Sequence, residues 1–353
     1  MRRRTFIAGC GTMVMGSALG AADGSRLRIG QIGTTGAHAS GKMLAMRGQP
    51  DRWDVVGLVE PEAHLLQSPA TSRAWRDLKV LTEEELLATP DLKAVAVETR
   101  IGDATATAAR VIRAGKHVHL EKPGGFSHAD FKAMRLEAER RGIIVQMGYM
   151  LRYNPAFELL YQAVREKWLG ELTEVDVFIG KLGDPQARSF IQQLPGGGMF
   201  ELGCHVIDTV ITLLGKPKSI AAYSTPSRDD GTKDNQMAVF EYPRATAVVR
   251  CNFADPFGDP RRRISVTGTE GTLEIMPMES RNVTLSLARE RGGYKKGTQK
   301  FQIGQPSGRY DGEFVDLHRV LRGEKRFMWD AAHDIAVHEA VLRASGVWED
   351  EGR

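Results

Sequence analysis

The stretch "LRIGQIGTTGAH" (residues 27–38) places an apolar run directly before a glycine-rich turn. It predicts a buried strand, a tight turn and the start of a helix that extends to about Arg47. Units of the same kind follow up to Tyr149, with strands over "DVVGLVE", "KAVAVET", "HVHLEKP" and "IIVQMGY" and helical stretches between them. Regular β-α-β alternation predicts a parallel, doubly wound sheet with right-handed crossovers.

The pattern changes after Tyr149, where short strands follow one another and clear helices become few. We expect strands over residues 175–180, 219–224, 236–242, 246–253, 263–267, 272–276, 282–287 and 299–303. The fold class is therefore α/β, with an N-terminal Rossmann domain (residues 26–148) and a second domain (residues 149–353). The second domain is predicted to be α+β with a large, mainly antiparallel sheet.

The overall composition is typical of a globular protein with a substantial core, at 42% hydrophobic and 26% charged residues. Of the formal net charge of +4, three units come from Arg2, Arg3 and Arg4. The rest of the chain is nearly neutral, which argues against a nucleic-acid partner. After Cys10, only Cys204 and Cys251 remain, and two buried thiols are a better interpretation than a disulfide scaffold.

The first 22 residues are typical of an export signal, because an arginine cluster precedes an apolar stretch too short to span a bilayer. The "RRTF" at residues 3–6 resembles the twin-arginine motif, which predicts a periplasmic protein without stable membrane insertion after signal removal. Lipidation at Cys10 and an uncleaved anchor are the alternatives.

The first glycine turn matches a dinucleotide fingerprint only in part. Gly33 takes the first glycine position, whereas Thr35 and His38 replace the second and third. Glu60 ends the second strand, where an acid accepts hydrogen bonds from a ribose diol and disfavours a 2′-phosphate. These residues predict NAD rather than NADP; a glycine-rich turn of an unrelated α/β domain is the alternative.

The stretch "LPGGGMFELGCHVID" (residues 194–208) places three glycines before three ionisable side chains. In a helix, Glu201, His205 and Asp208 are spaced four and three apart and share one face. A structural His–Asp pair is one alternative. A metal site is another, although no fourth ligand is evident, and we expect no metal.

The segments "GKHVHLEKP" (115–123), "GGG…ELGCHVID" and "VTGTEGTLEI" (266–275) together resemble the Gfo/Idh/MocA oxidoreductase family. The resemblance implies a Rossmann domain and an α+β domain whose sheet often mediates oligomers, so we expect a homodimer or homotetramer. It also implies NAD(P)-dependent oxidation or reduction of sugars, cyclitols and their derivatives.

The same resemblance implies roles for particular residues. His205 matches the family's histidine and is the expected general base, Lys122 is expected to stabilise the substrate oxygen, and Glu201 takes the position of an aspartate. The expected cofactor-binding residues are Gly33, Thr34, Thr35, Gly36, His38, Glu60, Thr99, Glu121 and Lys122. The expected substrate-binding residues are Tyr149, Arg152, Asn154, Glu201 and Asp208.

One departure from the family pattern stands beside the expected nicotinamide site, where Arg100 replaces a proline. We expect it to pair with Glu98 or Asp103, or to face an anionic substrate.

These features predict an exported oxidoreductase that acts on a carbohydrate or polyol hydroxyl and holds its NAD tightly. One alternative is a glycoside hydrolase or lyase that oxidises the sugar transiently and reduces it again. Another is a non-catalytic protein that retains the dinucleotide.

Overall fold

A computed structural model describes residues 26–36, 38–67, 72–305 and 307–348. The predicted export signal, residues 1–22, lies outside the described residues. No helix in the described ranges is long and apolar enough to cross a membrane.

The first domain is built on five parallel strands in the order β2-β1-β3-β4-β5. This arrangement confirms the predicted Rossmann sheet. Its strands are β1 (Leu27–Ile32), β2 (Trp53–Val59), β3 (Leu92–Val97), β4 (His117–Leu120) and β5 (Val145–Met147). Its helices are α1 (Ala39–Arg47), α2 (Ser72–Trp75), α3 (Glu83–Leu87), α4 (Ile101–Arg113) and α5 (His128–Arg140), with a 3-10 turn at Ala63–Gln67.

Local sequence signals set where several of these helices begin and end. Thr82 caps α3 by accepting a hydrogen bond from the Glu85 amide, while the Glu85 carboxylate accepts one from the Thr82 amide. Gly142 follows α5 with a φ of +66°, a conformation that glycine adopts without steric cost. Gly115, which follows α4, has a φ of +73°, so both predicted helix ends lie at a glycine with positive φ.

The second domain carries eight strands in the order β13-β12-β11-β10-β6-β9-β8-β7. All neighbours are antiparallel except β6 and β9, which pair in parallel. The predicted large, mainly antiparallel sheet is therefore confirmed. The strands are β6 (Leu172–Gly180), β7 (Ser219–Thr225), β8 (Asn235–Glu241), β9 (Thr246–Asn252), β10 (Arg263–Gly268), β11 (Gly271–Ile275), β12 (Asn282–Leu287) and β13 (Gly297–Gln302).

Two helices of this domain were not expected from the sequence. They are α6 (Pro155–Arg165) and α7 (Pro185–Gln192), each preceded by a capping side chain, Asn154 or Asp184. A cap followed by proline at the first helical position is itself a helix-start signal. The remaining helices are α8 (Cys204–Leu214), α9 (Gly258–Arg261), α10 (Asp311–Leu321) and α11 (Ala331–Ala344), with a 3-10 turn at Met150–Tyr153.

Helix α10 packs against the first domain, although it lies far along the chain from it. Phe314 and Leu317 join the buried core formed by Ile29 and Met43. The Trp53 indole donates a hydrogen bond of 3.2 Å to the Phe314 carbonyl. The predicted boundary near Tyr149 therefore separates two sheets, but the C-terminal part of the chain completes the core of the first.

Candidate active site

A cleft of about 330 Å³ lies where the carboxyl ends of the Rossmann strands face the second domain. Ligands of open α/β sheets bind outside these strand ends. Six residues that the sequence predicted for the site line this cleft, namely Thr35, Gly36, Thr99, Glu121, Lys122 and Glu201. Phe126, Phe190 and Leu194 provide an apolar part of its wall.

The glycine turn after β1 packs tightly against the end of β3. Gly33 has a φ of +92°, and a Cβ atom there would lie 2.7 Å from the Glu98 carbonyl carbon. The Gly36 amide donates a hydrogen bond of 2.9 Å to the Glu98 carbonyl oxygen. A turn with glycine at both ends that leads into α1 fits a dinucleotide pyrophosphate, because the helix N-terminus attracts anions.

Glu60 follows β2 and is held by two local hydrogen bonds. Its Oε2 accepts from the Thr34 hydroxyl at 2.6 Å, and its Oε1 accepts from the Glu62 amide at 2.9 Å. The carboxylate is therefore oriented at the strand end where a cofactor ribose is expected. Gly33, Thr34 and Glu60 together fit an NAD(P) cofactor.

Lys122 joins the two domains inside the cleft. Its Nζ donates to the Glu201 carbonyl oxygen at 2.8 Å and to Glu201 Oε1 at 3.0 Å. Lys122 is 4% exposed and Glu201 is 8% exposed, so the ion pair is shielded from solvent. It places a fixed ammonium where a substrate oxygen can receive a hydrogen bond.

The polar segment after the triple glycine begins as a π-helical turn, Met199–Gly203, and continues as α8. The expected regular helix is thus widened at Glu201. Such π turns are uncommon and occur often at functional sites. In this turn the Glu201 carbonyl accepts hydrogen bonds from Lys122 and from the Cys204 thiol at 3.1 Å, so the chain presents both a backbone and a side-chain acceptor to one lysine.

The charges of this pair stabilise each other. Burial would raise the pKa of Glu201, but Lys122, Lys181 and His38 together outweigh it and the net shift is downward. Burial opposes the charge on Lys122, yet Glu201 and the nearby Glu121 raise its pKa above the ordinary value. Both groups are charged at neutral pH. Glu201 Oε2 has no hydrogen-bond partner among the described residues, which leaves an acceptor free for a ligand hydroxyl.

His205 lies on the first turn of α8 and is 2% exposed. Its ring is 6.0 Å from the Tyr149 ring and 6.4 Å from the His38 ring, measured between centroids. Burial, Lys122 and His38 hold the pKa of His205 well below its ordinary value, so the imidazole is neutral. Among the described residues, those that line the cleft do not include His205.

Sequence reasoning missed a buried ionic network beneath the glycine turn. Lys42 of α1 is fully buried and pairs with Glu121 and, at 3.2 Å, with Glu98. His38 Nδ1 and Glu121 Oε1 form a hydrogen bond of 2.8 Å. The available signal was the position of Glu98 and Glu121, each directly after a buried apolar strand, because a carboxylate there requires a partner.

Arg152 and Asp208 were expected to bind substrate, but the structure engages them with each other. The Arg152 guanidinium donates to Asp208 at 2.6 and 3.0 Å and to Asp334 at 2.8 Å. His333 contributes a further contact of 3.1 Å to Asp208. The Arg152 and Asp208 side chains are fully buried, which favours a structural role in fixing α8 against α11.

The remaining expectations have different outcomes. Tyr149 is buried beside His205, with the Arg152 guanidinium 5.0 Å above its ring. Asn154 caps α6 and lies in a separate cavity of about 460 Å³. Arg100 pairs with Glu62 at 2.6 Å rather than with Glu98 or Asp103.

Neither a metal cluster nor a disulfide is found in the part of the chain that the structure describes. No group of three metal-binding side chains occurs there. Cys204 and Cys251 are free and buried, as the sequence predicted.

Both domains match families of known proteins. Residues 27–149 match the oxidoreductase family with an NAD-binding Rossmann fold, and residues 157–274 match the GFO/IDH/MocA C-terminal domain. The chain belongs to the Gfo/Idh/MocA oxidoreductase family. The first match ends at Tyr149, where the sequence pattern changes from alternating strands and helices to successive strands.

Individual family members share modest identity with the chain. It is 28% identical over 196 residues to trans-1,2-dihydrobenzene-1,2-diol dehydrogenase of Sus scrofa, covering 55% of this chain and 57% of that protein. It is 25% identical over 197 residues to scyllo-inositol 2-dehydrogenase (NADP(+)) of Bacillus subtilis, covering 54% and 55% of the two chains. These matches thus span little more than half the length of the curated relatives.

The fold extends further than the sequence identity. The structure of a levoglucosan dehydrogenase in complex with NADH and levoglucosan superposes with a TM-score of 0.76 at 17% identity. The superposition covers 91% of this chain and 98% of that chain. The two chains therefore share the same overall fold.

Proposed function

We propose that the protein transfers hydride between a hydroxyl-bearing carbon of a sugar or polyol and a nicotinamide cofactor. The observation that carries the proposal is the buried Lys122–Glu201 pair, which brings residues of both domains to one cleft at the dinucleotide end of the Rossmann sheet. The bound cofactor would supply the hydride acceptor or donor. The residues of the chain bind and orient the alcohol and manage its proton.

The reacting oxygen is placed beside Lys122. The neutral imidazole of His205, which is buried and does not line the cleft, is the proton acceptor that the family resemblance implies. The lysine ammonium stabilises negative charge as it develops on this oxygen. The free Oε2 of Glu201 accepts a hydrogen bond from a second, neighbouring hydroxyl. This arrangement suits vicinal diols and cyclic polyols, and the names of the dihydrodiol, inositol and levoglucosan dehydrogenases support that substrate class.

A direct assay tests the proposal. The purified protein is incubated with NAD⁺ or NADP⁺ and a panel of cyclitols, sugars and dihydrodiols, and reduced nicotinamide is measured by absorbance. We expect reduction with at least one cyclic polyol and about 10³-fold slower reduction with a Lys122→Met variant. The proposed function is wrong if the folded, cofactor-bound wild-type protein neither reduces the cofactor with any compound of the panel nor oxidises the reduced cofactor with the corresponding ketones.

For the cofactor, we propose NAD in preference to NADP. The support is the carboxylate of Glu60, which Thr34 and the Glu62 amide orient at the end of β2. A carboxylate there accepts from a ribose diol and repels a 2′-phosphate. Dissociation constants for the two cofactors test this preference.

We further propose that the protein is exported to the periplasm by the twin-arginine route with its cofactor already bound. The support is the arginine cluster followed by a short apolar stretch in residues 1–22. Since the route carries folded proteins, a tightly held nucleotide would cross with them. Nucleotide analysis of protein from the periplasmic fraction tests both parts, and protein confined to the cytoplasm would contradict them.

We also propose a homodimer or homotetramer. The support is the edge strand β7, most of whose residues are exposed, with Tyr223 at 56%. An open sheet with such an edge is a ready surface for a second copy. Light scattering on the purified protein gives the answer.

A further inference from the structure

The proposed reaction releases a proton that the chain must remove. Oxidation of an alcohol sends hydride to the cofactor and the hydroxyl proton to a base, which is His205 here. A protonated His205 has no stabilising carboxylate contact among the described residues, its Nδ1 has no hydrogen-bond partner, and Lys122 repels the positive charge. At 2% exposure, solvent cannot readily take the proton away. His205 is therefore a poor place for the proton to remain.

A second imidazole lies next to it. His38 immediately precedes α1, and its ring centroid is 6.4 Å from that of His205 at an interplanar angle of 57°. Its side chain is 19% exposed, in contrast to that of His205. His38 thus lies between the buried base and the exterior.

His38 also has the carboxylate that His205 lacks. Its Nδ1 is 2.8 Å from Glu121 Oε1, so the neutral ring donates there and leaves Nε2 as an acceptor. The other oxygen of Glu121 binds the fully buried Lys42. Burial would raise the pKa of Glu121, but Lys42, His38 and Lys122 lower it well below its ordinary value, so Glu121 stays ionised and can stabilise a protonated His38.

Other charged and titratable groups face His38 as well. Burial, Lys122 and Lys42 oppose its protonation and Glu121 favours it, with a net lowering of the pKa of His38. The ring of Tyr310 is 5.6 Å away, and the guanidinium of Arg309 lies 5.8 Å from that ring. Of these groups, only Glu121 is within hydrogen-bonding distance of the imidazole.

We propose that His38, oriented by Glu121, receives the substrate proton from His205 and passes it to solvent. The step rests on the proposed function. The substrate O–H bond breaks, the proton bonds to His205, and the pair of electrons of the C–H bond leaves with the hydride. The proton then moves from His205 to Nε2 of His38, through one water at this ring separation, and on to bulk water. His38 acts through His205 and is a positioning and relay residue.

The first test needs no substrate. In the cofactor-bound protein with ¹⁵N-labelled histidines, the protonation of each ring is followed by NMR as the pH falls, with signals assigned from through-space contacts in the wild-type protein. His38 is expected to protonate at a higher pH than His205, and Glu121→Gln is expected to lower the midpoint of His38. If His205 protonates first, the proposal is overturned.

The second test measures the relay during turnover. His38→Ala is expected to reduce kcat by about 10²-fold, the lower range for general acid–base catalysis, with little change in the KM for the cofactor. Added imidazole is expected to restore part of kcat, which a purely structural role would not allow. The matched control is His117→Ala on β4 of the same domain, which should keep full activity and show no response to imidazole.

These outcomes separate the inference from the proposed function. Full activity of His38→Ala, or a loss that imidazole does not restore, overturns the relay while hydride transfer stands. If the wild-type protein transfers no hydride, the proposed function fails. The NMR test still shows whether His38 or His205 binds a proton more readily. Because the NMR test uses the wild-type protein, it stays decisive even if His38→Ala does not fold.

Discussion

Two clusters of charged side chains lie next to each other along one helical segment, and they are built differently. In the cleft cluster, Lys122 and Glu201 are paired, but Glu201 Oε2 is left without a partner. In the buried cluster, Arg152 is held by Asp208 and Asp334 and its side chain is closed to solvent, although its Nη1 also has no hydrogen-bond partner among the described residues. Both use the same chemistry of opposite charges. The difference teaches that a position in the cleft at the Rossmann strand ends, rather than charge or a missing hydrogen bond alone, marks the place for a ligand.

The largest effect is expected at the cleft cluster. Lys122→Met removes the ammonium beside the reacting oxygen, and kcat/KM should fall by about 10³-fold, as for loss of a transition-state donor. Steady-state kinetics with the best polyol measures the change. The control, Lys132→Met on the exposed face of α5, should keep wild-type activity. Near-normal turnover by Lys122→Met would remove the functional distinction between the two clusters.

The buried cluster should respond in stability instead. Arg152→Met removes the guanidinium that Asp208 and Asp334 share and leaves them with His333 and Arg135 alone. The free energy of unfolding should fall by about 3 kcal/mol, the lower end for a broken buried ion pair. Chemical denaturation measures the loss. The exposed pair of Lys167 and Glu171 offers a comparison, since Lys167→Met should leave the unfolding midpoint unchanged. If the Arg152→Met variant is as stable as the wild type but no longer binds substrate, Arg152 is a substrate-binding residue and not a structural one.

A smaller effect is expected at the cofactor end of the cleft. Glu60→Ala removes the oriented carboxylate, and NAD should bind about tenfold more weakly, the loss of one charge-assisted hydrogen bond. NADP should bind as well as before or better, because the repulsion of its phosphate is gone. Calorimetric titration with both cofactors measures the ratio. An unchanged preference would show that Glu60 does not select the cofactor.

The smallest expected effect is a displaced pH profile. Burial, Lys122 and His38 lower the pKa of His205 from its ordinary value of 6.5. The neutral imidazole is the active base, and a lowered pKa preserves it to more acidic pH, so the acidic limb of kcat/KM should lie below pH 6.5. The profile is recorded with saturating cofactor. An acidic limb above pH 6.5 would mean that the pKa of His205 is raised, as by a nearby negative charge, and would contradict this prediction.

Much of the fold could be read from periodicity and turn residues. Apolar runs that alternate with helical stretches predicted the Rossmann strands, and the close succession of short strands after Tyr149 predicted the large sheet. These signals are local, because a buried strand and a helix end each depend on a few neighbouring residues. That Lys122 and Glu201 belong to one site was expected from the family resemblance, whereas their ion pair, between residues 79 positions apart, was not.

Other features depend on residues that are distant in the chain. Nothing near Arg152 indicates that Asp208 and Asp334 enclose its guanidinium, and nothing near Lys42 indicates that it lies beneath Glu98 and Glu121. The energy of a buried charge depends on which partners the tertiary structure brings within a few ångströms. The sequence spacing therefore predicted that Glu201, His205 and Asp208 share one functional helix face. The tertiary packing instead places Glu201 in the cleft and Asp208 in the buried cluster with Arg152.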